Sequence, residues 1–489
     1  MAQNALKQKA AASMGWTAFS KYSNMIIGFI SGIILARLLT PYDYGCIGML
    51  SIFMALAEIF IDGGFGSALI QKKNPTQEDY STIFFWNLGM SVILYAVLFV
   101  SAPAIARFYK IPMLSSVLRV QGIILFIYAL NLIQRNQLKK KLNFKLLGIL
   151  SIGTSVIALS VTIWMAYKGF GVWALVAQNI ITALIPCVVF WFYVKWRPKL
   201  VFSWKSFKEL FGFGVYMFFT HLVNQFCSKI QGLLIGKLYS PSTLGYFSKA
   251  LSTENIASRT ISSVMTSVTY PLYAQVQDDK TAMINMIKRL TQTISYITFP
   301  LLFVLLLTAK PIFVLLYSER WLESVPYFQA LCVGGMAMCL QSVNTQTIAA
   351  IGKSRVMFQW TLIKRGVCVT MVIFCLYQFG LQVFVWSVVV ADWLCYFVNA
   401  GLVSKYVGYK WGRQMLDLLP IALVAACSAG ISYVLVTSLH LGFYQDGIVK
   451  GVVCIGLYMA WSLIRKPEPY LYTLSIIPQK FRFWERKSK

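Results

Sequence analysis

The sequence predicts an all-α polytopic membrane protein with fourteen transmembrane helices. They are expected as two six-helix lobes related by a pseudo-two-fold axis, followed by two extra C-terminal helices. Composition, apolar runs and an internal duplication carry this expectation. Only 12% of the 489 residues are charged and 58% are hydrophobic, whereas an ordinary globular chain has about 25% charged residues. Mean hydropathy is +0.66. A helix needs about 20 apolar residues to span a bilayer. Fourteen such runs occur, near 14–38, 43–69, 82–106, 113–136, 146–167, 172–194, 209–236, 243–271, 285–307, 325–350, 355–378, 382–404, 416–438 and 445–464.

The duplication is visible without gaps at an offset of 200 residues. GFISGIILARLLTPYDYGCIGM, in the first copy, is answered by the stretch around LIGKLYSPSTLGYFSKA. Gly32, Leu38, Pro41 and Gly45 fall opposite Gly232, Leu238, Pro241 and Gly245, and Lys21 falls opposite His221. A repeat of this size sets the fold. Six spans per copy account for spans 1–6 and 7–12. Because six is even, both copies have one orientation, which implies an axis along the membrane normal and a cleft between lobes. The expected division is 1–204 for the N-lobe, 205–407 for the C-lobe, 408–464 for spans 13 and 14, and 465–489 for a basic cytoplasmic tail. Spans 13 and 14 have no counterpart and are expected on the outside of the bundle.

The net charge of +28 would point to nucleic acid in a soluble chain. Here the basic residues collect in alternate loops: Lys72 and Lys73, Lys139 to Lys141, Lys195 to Lys205, Lys288 and Arg289, Lys353 and Arg355, Lys405 to Arg413, and the tail from Arg465. That is the positive-inside pattern. It places both termini in the cytoplasm and removes nucleic acid as a partner. The ten cysteines are scattered singly with no Cys-x-x-Cys and read as packing residues. Gly352-Lys353-Ser354 resembles the end of a nucleotide-binding loop, but the leading glycine position holds Thr347. No cofactor is expected. Transport would be driven by H+, by Na+ or by the substrate's own gradient.

Charges inside the spans carry the functional reading. One charge at the bilayer centre costs about 2.5–3.5 kcal/mol on insertion scales, so such residues must face the bundle interior or a wet cavity. Ser248, Ser252, Asn255, Arg259, Ser262, Thr266 and Thr269 recur at steps of four and three, one continuous helical stripe. Shorter stripes run through His221, Asn224, Gln225 and Ser228 on span 7 and through Thr17, Lys21 and Asn24 on span 1. Polar residues that only stitch helices together would give short stripes; seven positions exceed that need. Gly28-x-x-x-Gly32 and Gly232-x-x-x-Gly236 are the candidates for close helix packing.

Lys21, Arg119, Lys229, Lys249, Arg259, Lys364 and Arg365 give seven intramembrane cations, against the four acids Glu58, Asp62, Glu254 and Asp392. A net positive interior suits a phosphate-bearing ligand. The expected contacts to an anionic ligand with a bulky polar portion are Arg259, Lys249, Lys21, Lys229, His221, Asn255, Asn24, Asn224, Lys364 and Arg365. Glu58 and Asp62, four apart on one helical face, and Asp392 are the expected ion-coupling acids. Glu58 is assigned to Arg259, Glu254 to Lys249 or Lys229, and Asp392 to neutralising Lys364 or Arg365. A drug-cation exporter would want acids in its cleft. A membrane glycosyltransferase would need clustered carboxylates and a soluble face, neither of which is found. An enzyme is therefore not expected.

GWTAFSKYSNMIIGFISGIILARLLTPYDYGCIGMLSIF, DGGFGSALIQ, GFGVWALVAQ and SPSTLGYFSKA resemble the Wzx-type polysaccharide flippases. Within them the likeness is to the colanic-acid and teichuronic-acid exporter branch of the MATE-like multidrug/oligosaccharidyl-lipid/polysaccharide (MOP) superfamily. The resemblance covers nearly the whole chain. It implies a MATE-like, two-lobed alternating-access transporter of the bacterial inner membrane. The implied cargo is an undecaprenyl-pyrophosphate-linked oligosaccharide for O-antigen, capsule or exopolysaccharide, flipped from the inner to the outer leaflet. Membrane lipid and the pathway's polymerase or glycosyltransferases are the implied partners. A lipid II flippase and a MATE-like drug or ion antiporter remain the alternatives.

Overall fold

The computed structural model describes residues 2–276 and 279–476. Lys480, Arg482, Arg486, Lys487 and Lys489 of the expected tail lie outside the described residues. Helices make up most of the described chain, and no strand occurs among those residues. In order they are α1 (Ala2–Leu38), α2 (Pro41–Asp62), α3 (Phe65–Gln71), α4 (Gln77–Tyr109), α5 (Met113–Gln121), α6 (Ile124–Lys140), α7 (Phe144–Tyr167), α8 (Val172–Tyr193) and α9 (Trp204–Leu238). There follow α10 (Pro241–Gln275), α11 (Lys280–Leu307), α12 (Ala309–Tyr317), α13 (Val325–Ala350), α14 (Ser354–Val407), α15 (Trp411–Thr437), α16 (Phe443–Arg465) and α17 (Glu468–Ile476). Among the described residues, ten segments are long and apolar enough to cross a membrane. The protein is a multi-pass membrane protein.

Local chemistry sets the helix boundaries. Thr40 and Asp43 form a capping box at the start of α2, with Pro41 in the first turn, and Thr76 and Asp79 do the same for α4. Gly63 and Gly64, at φ 52° and 78°, end α2 and turn the chain into α3. Gly380, at φ 83° and ψ −176°, interrupts the 54-residue α14 in a region open essentially to glycine alone. The chain folds back there. Lys364 meets Asn399 and Cys368 meets Cys395 across the two arms, a register that only an antiparallel hairpin gives.

The chain divides into two compact units, Met1–Ser248 and Lys249–Lys489. In the first, α1 packs on α7, α7 on α8, α2 on α9, and α6 on α4 and α8. A buried cluster around Phe65, Leu69, Phe84, Ile133 and Phe207 ties α3, α4, α6 and the start of α9 together. The segment joining α8 to α9 is fastened to α4. Ser81 and Thr82 accept the backbone N–H groups of Lys199 and Ser203 at 3.1 and 3.0 Å, and Gln77 donates to the Arg197 carbonyl at 2.8 Å. Lys72 lies 3.0 Å from both Asp79, which is 1% exposed, and Glu209, which is 57% exposed. In the second unit α11 is the shared neighbour of α13, α15 and α16, with Tyr296 donating to Ser462 at 2.6 Å. Lys450 on α16 is buried and pairs with Asp446 at 2.7 Å.

The duplicated openings meet inside the first unit. A Cβ on Gly45 would stand 1.8 Å from the Pro241 carbonyl oxygen, and a Cβ on Gly245 would stand 1.9 Å from that of Pro41. Each repeat thus seats the proline of the other on its own glycine. Of the glycines expected in close packing, Gly236 presses on Met49, where a Cβ would lie 2.8 Å away, but Gly28 has open space around it. The helix contact is made by the residues after the Leu-x-x-Pro turn, because there the two helices start side by side.

Overpacking a well-filled interior costs about 1–3 kcal/mol, and more where backbone must move. Gly45→Ala and Gly245→Ala are each expected to lower the yield of monodisperse membrane protein severalfold, whereas Gly28→Ala leaves it unchanged. Fluorescence-detected size exclusion reads this directly. Lys72→Met, which strips the partner from a buried carboxylate, is expected to destabilise by about 1–3 kcal/mol. Glu209→Gln should cost under about 1 kcal/mol. The two shifts in thermal midpoint should differ accordingly.

Candidate substrate-binding cavity

The first unit contains an open cavity of about 720 Å³. One wall is a single stripe along α5 and α6: Gln121, Ile124, Tyr128, Asn131, Arg135 and Lys139, stepping by three or four residues. Ser51 and Glu58 of α2 and Gln225 and Lys229 of α9 add to the polar lining, with Ala55 of α2 between the first two. Helices α7 and α8 contribute both apolar residues, among them Leu147, Leu150, Pro186 and Phe190, and polar ones, Ser151, Thr154, Asn179 and Thr182. The charged lining residues are Arg135, Lys139 and Lys229 against Glu58. The walls therefore carry a net positive charge beside neutral hydrogen-bonding groups.

A second cavity of about 290 Å³ shares Ala55, Glu58, Tyr128 and Gln225 with the first and adds Asp62, His221 and Asn224. Glu58 faces both spaces. The charge that acts on it within this unit is Lys229, where sequence reasoning had assigned Arg259. Asp62 accepts the backbone N–H of Gly66 at 3.2 Å, and His221 and Lys139 are the charges acting on it. A side chain at position 66 would put its Cβ 2.7 Å from the Asp62 carboxylate, so Asp-Gly-Gly-Phe-Gly is the sequence form of this turn.

Five of the expected site residues are thus gathered in the first unit: Glu58, Asp62, His221, Asn224 and Lys229. Asn24 supports the same site from behind. Its amide donates to Ser151 at 2.9 Å and its carbonyl accepts from Ser155 at 2.9 Å, both cavity residues on α7. Lys21 is exposed and lines neither cavity.

In the second unit the expected residues have other surroundings. Lys249 is 5% exposed, with its ammonium 4.1 Å from the Tyr317 ring centroid and 5.5 Å from that of Trp321, a cation–π setting. Glu254 is 3% exposed, and its Oε1 lies against Gly335, where a Cβ would be 2.2 Å away. Arg259 is exposed and is a charge acting on Glu254. Asn255 donates to the Leu251 carbonyl of its own helix at 2.7 Å. Lys364 donates to the Asn399 amide oxygen on the facing arm at 2.5 Å, where the sequence had offered Asp392 as a partner. Arg365 and Asp392 are half-buried, and Asp392 stands 3.1 Å from where a Gly334 Cβ would be.

Sequence reasoning missed Gln121, Tyr128, Asn131, Arg135 and Lys139. Arg135 lies one residue inside the end of an expected span, and Lys139 was counted among loop cations. The signal was present: these residues keep the same three-and-four spacing that marked the stripe on span 8.

Comparison with known proteins follows from this geometry. The chain is 26% identical over 347 residues to the teichuronic acid biosynthesis protein TuaB of Bacillus subtilis, covering 71% of this chain and 72% of that one. It is 23% identical to the succinoglycan biosynthesis transport protein ExoT of Rhizobium meliloti, covering 83% and 81%. It is 19% identical to the lipopolysaccharide biosynthesis protein WzxC of Escherichia coli, covering 73% of each. Among solved structures, the fold matches the inward closed lipid II flippase MurJ with a TM-score of 0.73, at 15% identity, over 93% of this chain and 98% of that one. It also matches an inward-facing MATE-family multidrug resistance transporter of the MOP superfamily with a TM-score of 0.60, at 17% identity, over 79% and 94%. These likenesses show the fold. The model of the family described as polysaccharide biosynthesis protein matches residues 34–326, more than half of the sequence, and the chain belongs to that family.

Proposed function

We propose that this chain is a flippase that carries an undecaprenyl-pyrophosphate-linked oligosaccharide from the inner to the outer leaflet of the bacterial cytoplasmic membrane by alternating access. It would serve O-antigen, capsule or exopolysaccharide synthesis. The observation that carries this reading is the first unit's cavity, where Arg135, Lys139 and Lys229 face one acid, Glu58, among neutral polar groups. Guanidinium and ammonium groups grip phosphate, and amides and hydroxyls suit sugar. The names of TuaB, ExoT and WzxC support polysaccharide precursors as cargo. The MurJ likeness is what a lipid II flippase would share.

Fourteen crossings are the matching topology, with both termini in the cytoplasm. Beyond the ten apolar segments, α9 and α10 are each 35 residues long and α13 is 26, and Gly380 breaks α14 into two arms. In this reading residues 1–204 and 205–407 are the two lobes, residues 408–464 stand outside them, and 465–489 form the basic tail. Glu58 and Asp62 are the coupling acids for H+ or Na+ beside the cavity, with Asp392 a third. Lys21, Lys249, Arg259, Asn255, Lys364 and Arg365 meet the cargo at other stages of the cycle. A polymerase and glycosyltransferases of the same pathway are its partners. No catalytic role is assigned.

The test is complementation of a strain lacking its own glycan flippase. Each charge-assisted hydrogen bond is worth about 1.5–3 kcal/mol, so Arg135→Ala and Lys139→Ala should each lower surface glycan about tenfold or more at equal protein level. Full export by both variants, and by Lys229→Ala, would overturn the assignment of the cavity to the pyrophosphate.

A further inference from the structure

The first unit's cavity has two chemically different parts. Arg135 and Lys139 stand together near the end of α6. One turn back, about 6 Å along the helix from Arg135, the lining changes to Asn131. Thr154 lines the cavity about 15 Å along α7 from its start, and Asn131 lies about 14 Å along α6 from its end. Gln121 lies farther along the same stripe, about 20 Å from Arg135.

Thr154 and Gln121 are 2% and 5% exposed, and Thr154 Oγ1 and Gln121 Oε1 have no hydrogen-bond partner among the described residues. Both residues line the cavity. Thr154 is unlike its neighbours on α7. Ser155, Ser160 and Thr162 each donate to the carbonyl four residues back, at 2.8, 3.0 and 2.6 Å, the usual outlet for a hydroxyl in an apolar helix. Thr154 does not. A buried polar atom left unsatisfied is costly, and a bound hydrogen-bonding group would offset that cost.

The chemistry of these atoms selects the group. An acyl chain would leave them unsatisfied. A phosphate oxygen only accepts: it could take the Thr154 O–H, but it would meet the Gln121 carbonyl oxygen lone pair to lone pair. A sugar hydroxyl both donates and accepts, and it matches the amide oxygen and the threonine hydroxyl alike. We propose that the cavity contains a neutral glycan subsite separate from its cationic end. In it Thr154, with Asn131, contacts the sugar joined to the diphosphate, and Gln121 contacts a sugar farther along. The proposal rests on the flippase reading above and adds which residues read the glycan.

Binding of defined lipids to the purified full-length chain tests it. The probes are bare polyprenyl diphosphate, polyprenyl diphosphate carrying one hexose, and the same lipid carrying a longer oligosaccharide. Loss of one hydrogen bond is worth about tenfold at most. Thr154→Val should weaken binding of both glycosylated lipids severalfold to about tenfold and leave the bare lipid unchanged, while Thr154→Ser behaves as wild type. Gln121→Leu should weaken only the longer glycolipid. Arg135→Ala should weaken all three. A wild-type chain that binds bare and glycosylated lipid equally overturns the subsite and leaves the flippase reading standing; one that binds none of the three overturns both. Equal loss on all three probes with Thr154→Val also overturns the subsite, since the change would then be structural.

Discussion

Two carbonyl groups resting on two glycines hold the first unit in register. Pro41 sits on Gly245 and Pro241 sits on Gly45, with no room for a single methyl group at either position. In lipid, helices gain little from the hydrophobic effect when they associate, because acyl chains are as apolar as leucine side chains. Close backbone approach supplies dispersion contacts that larger residues would prevent. The crossing fixes where α2 begins. From there the helical period carries Ser51, Ala55 and Glu58 to the cavity side of α2, and the packing of α2 on α9 brings Gln225 and Lys229 to the same space.

That arrangement answers the problem posed by the composition. A chain that is 58% hydrophobic has few places to keep an ammonium or a guanidinium at membrane depth. The first unit keeps Arg135, Lys139 and Lys229 on cavity walls with Glu58 among them. The second keeps Lys249 against aromatic rings and Lys364 on an amide. These are different solutions. A cation on a cavity wall is available to an anionic ligand, whereas one stacked on Tyr317 and Trp321 or bonded to Asn399 has part of its capacity engaged.

Much of this was legible in the residues. The 200-residue duplication was visible as a pattern, and its structural meaning is the reciprocal contact of its proline and glycine pairs. Helix limits such as the end of α1 at Leu38 followed from apolar run length, whereas the break at Gly63-Gly64 fell inside the expected span 43–69, because two glycines at positive φ end the helix without ending the apolar run. Glu58 and Asp62 were recognised as one face of α2. The hidden part concerns side chains whose surroundings come from distant segments. Arg135 and Lys139 sit at the edge of an apolar run, so hydropathy assigned them to the flank, although their spacing joins them to Asn131 and Tyr128. Nothing local to Lys249 announces Tyr317, 68 positions later, as its neighbour. Nothing local to Asp62 distinguishes a carboxylate that accepts a backbone N–H from one free to bind an ion.

The central claim is that the glycan-lipid head group enters the first unit's cavity, and site-specific photocrosslinking in living cells tests it most directly. A benzophenone-bearing residue in place of Phe144, on the cavity wall, is compared with one in place of Trp164, an exposed residue of the same helix. The account predicts a covalent adduct with the mass of the lipid-linked oligosaccharide at position 144 and none at 164. Phospholipid adducts alone at both positions, in cells shown to contain the lipid-linked glycan, would contradict it.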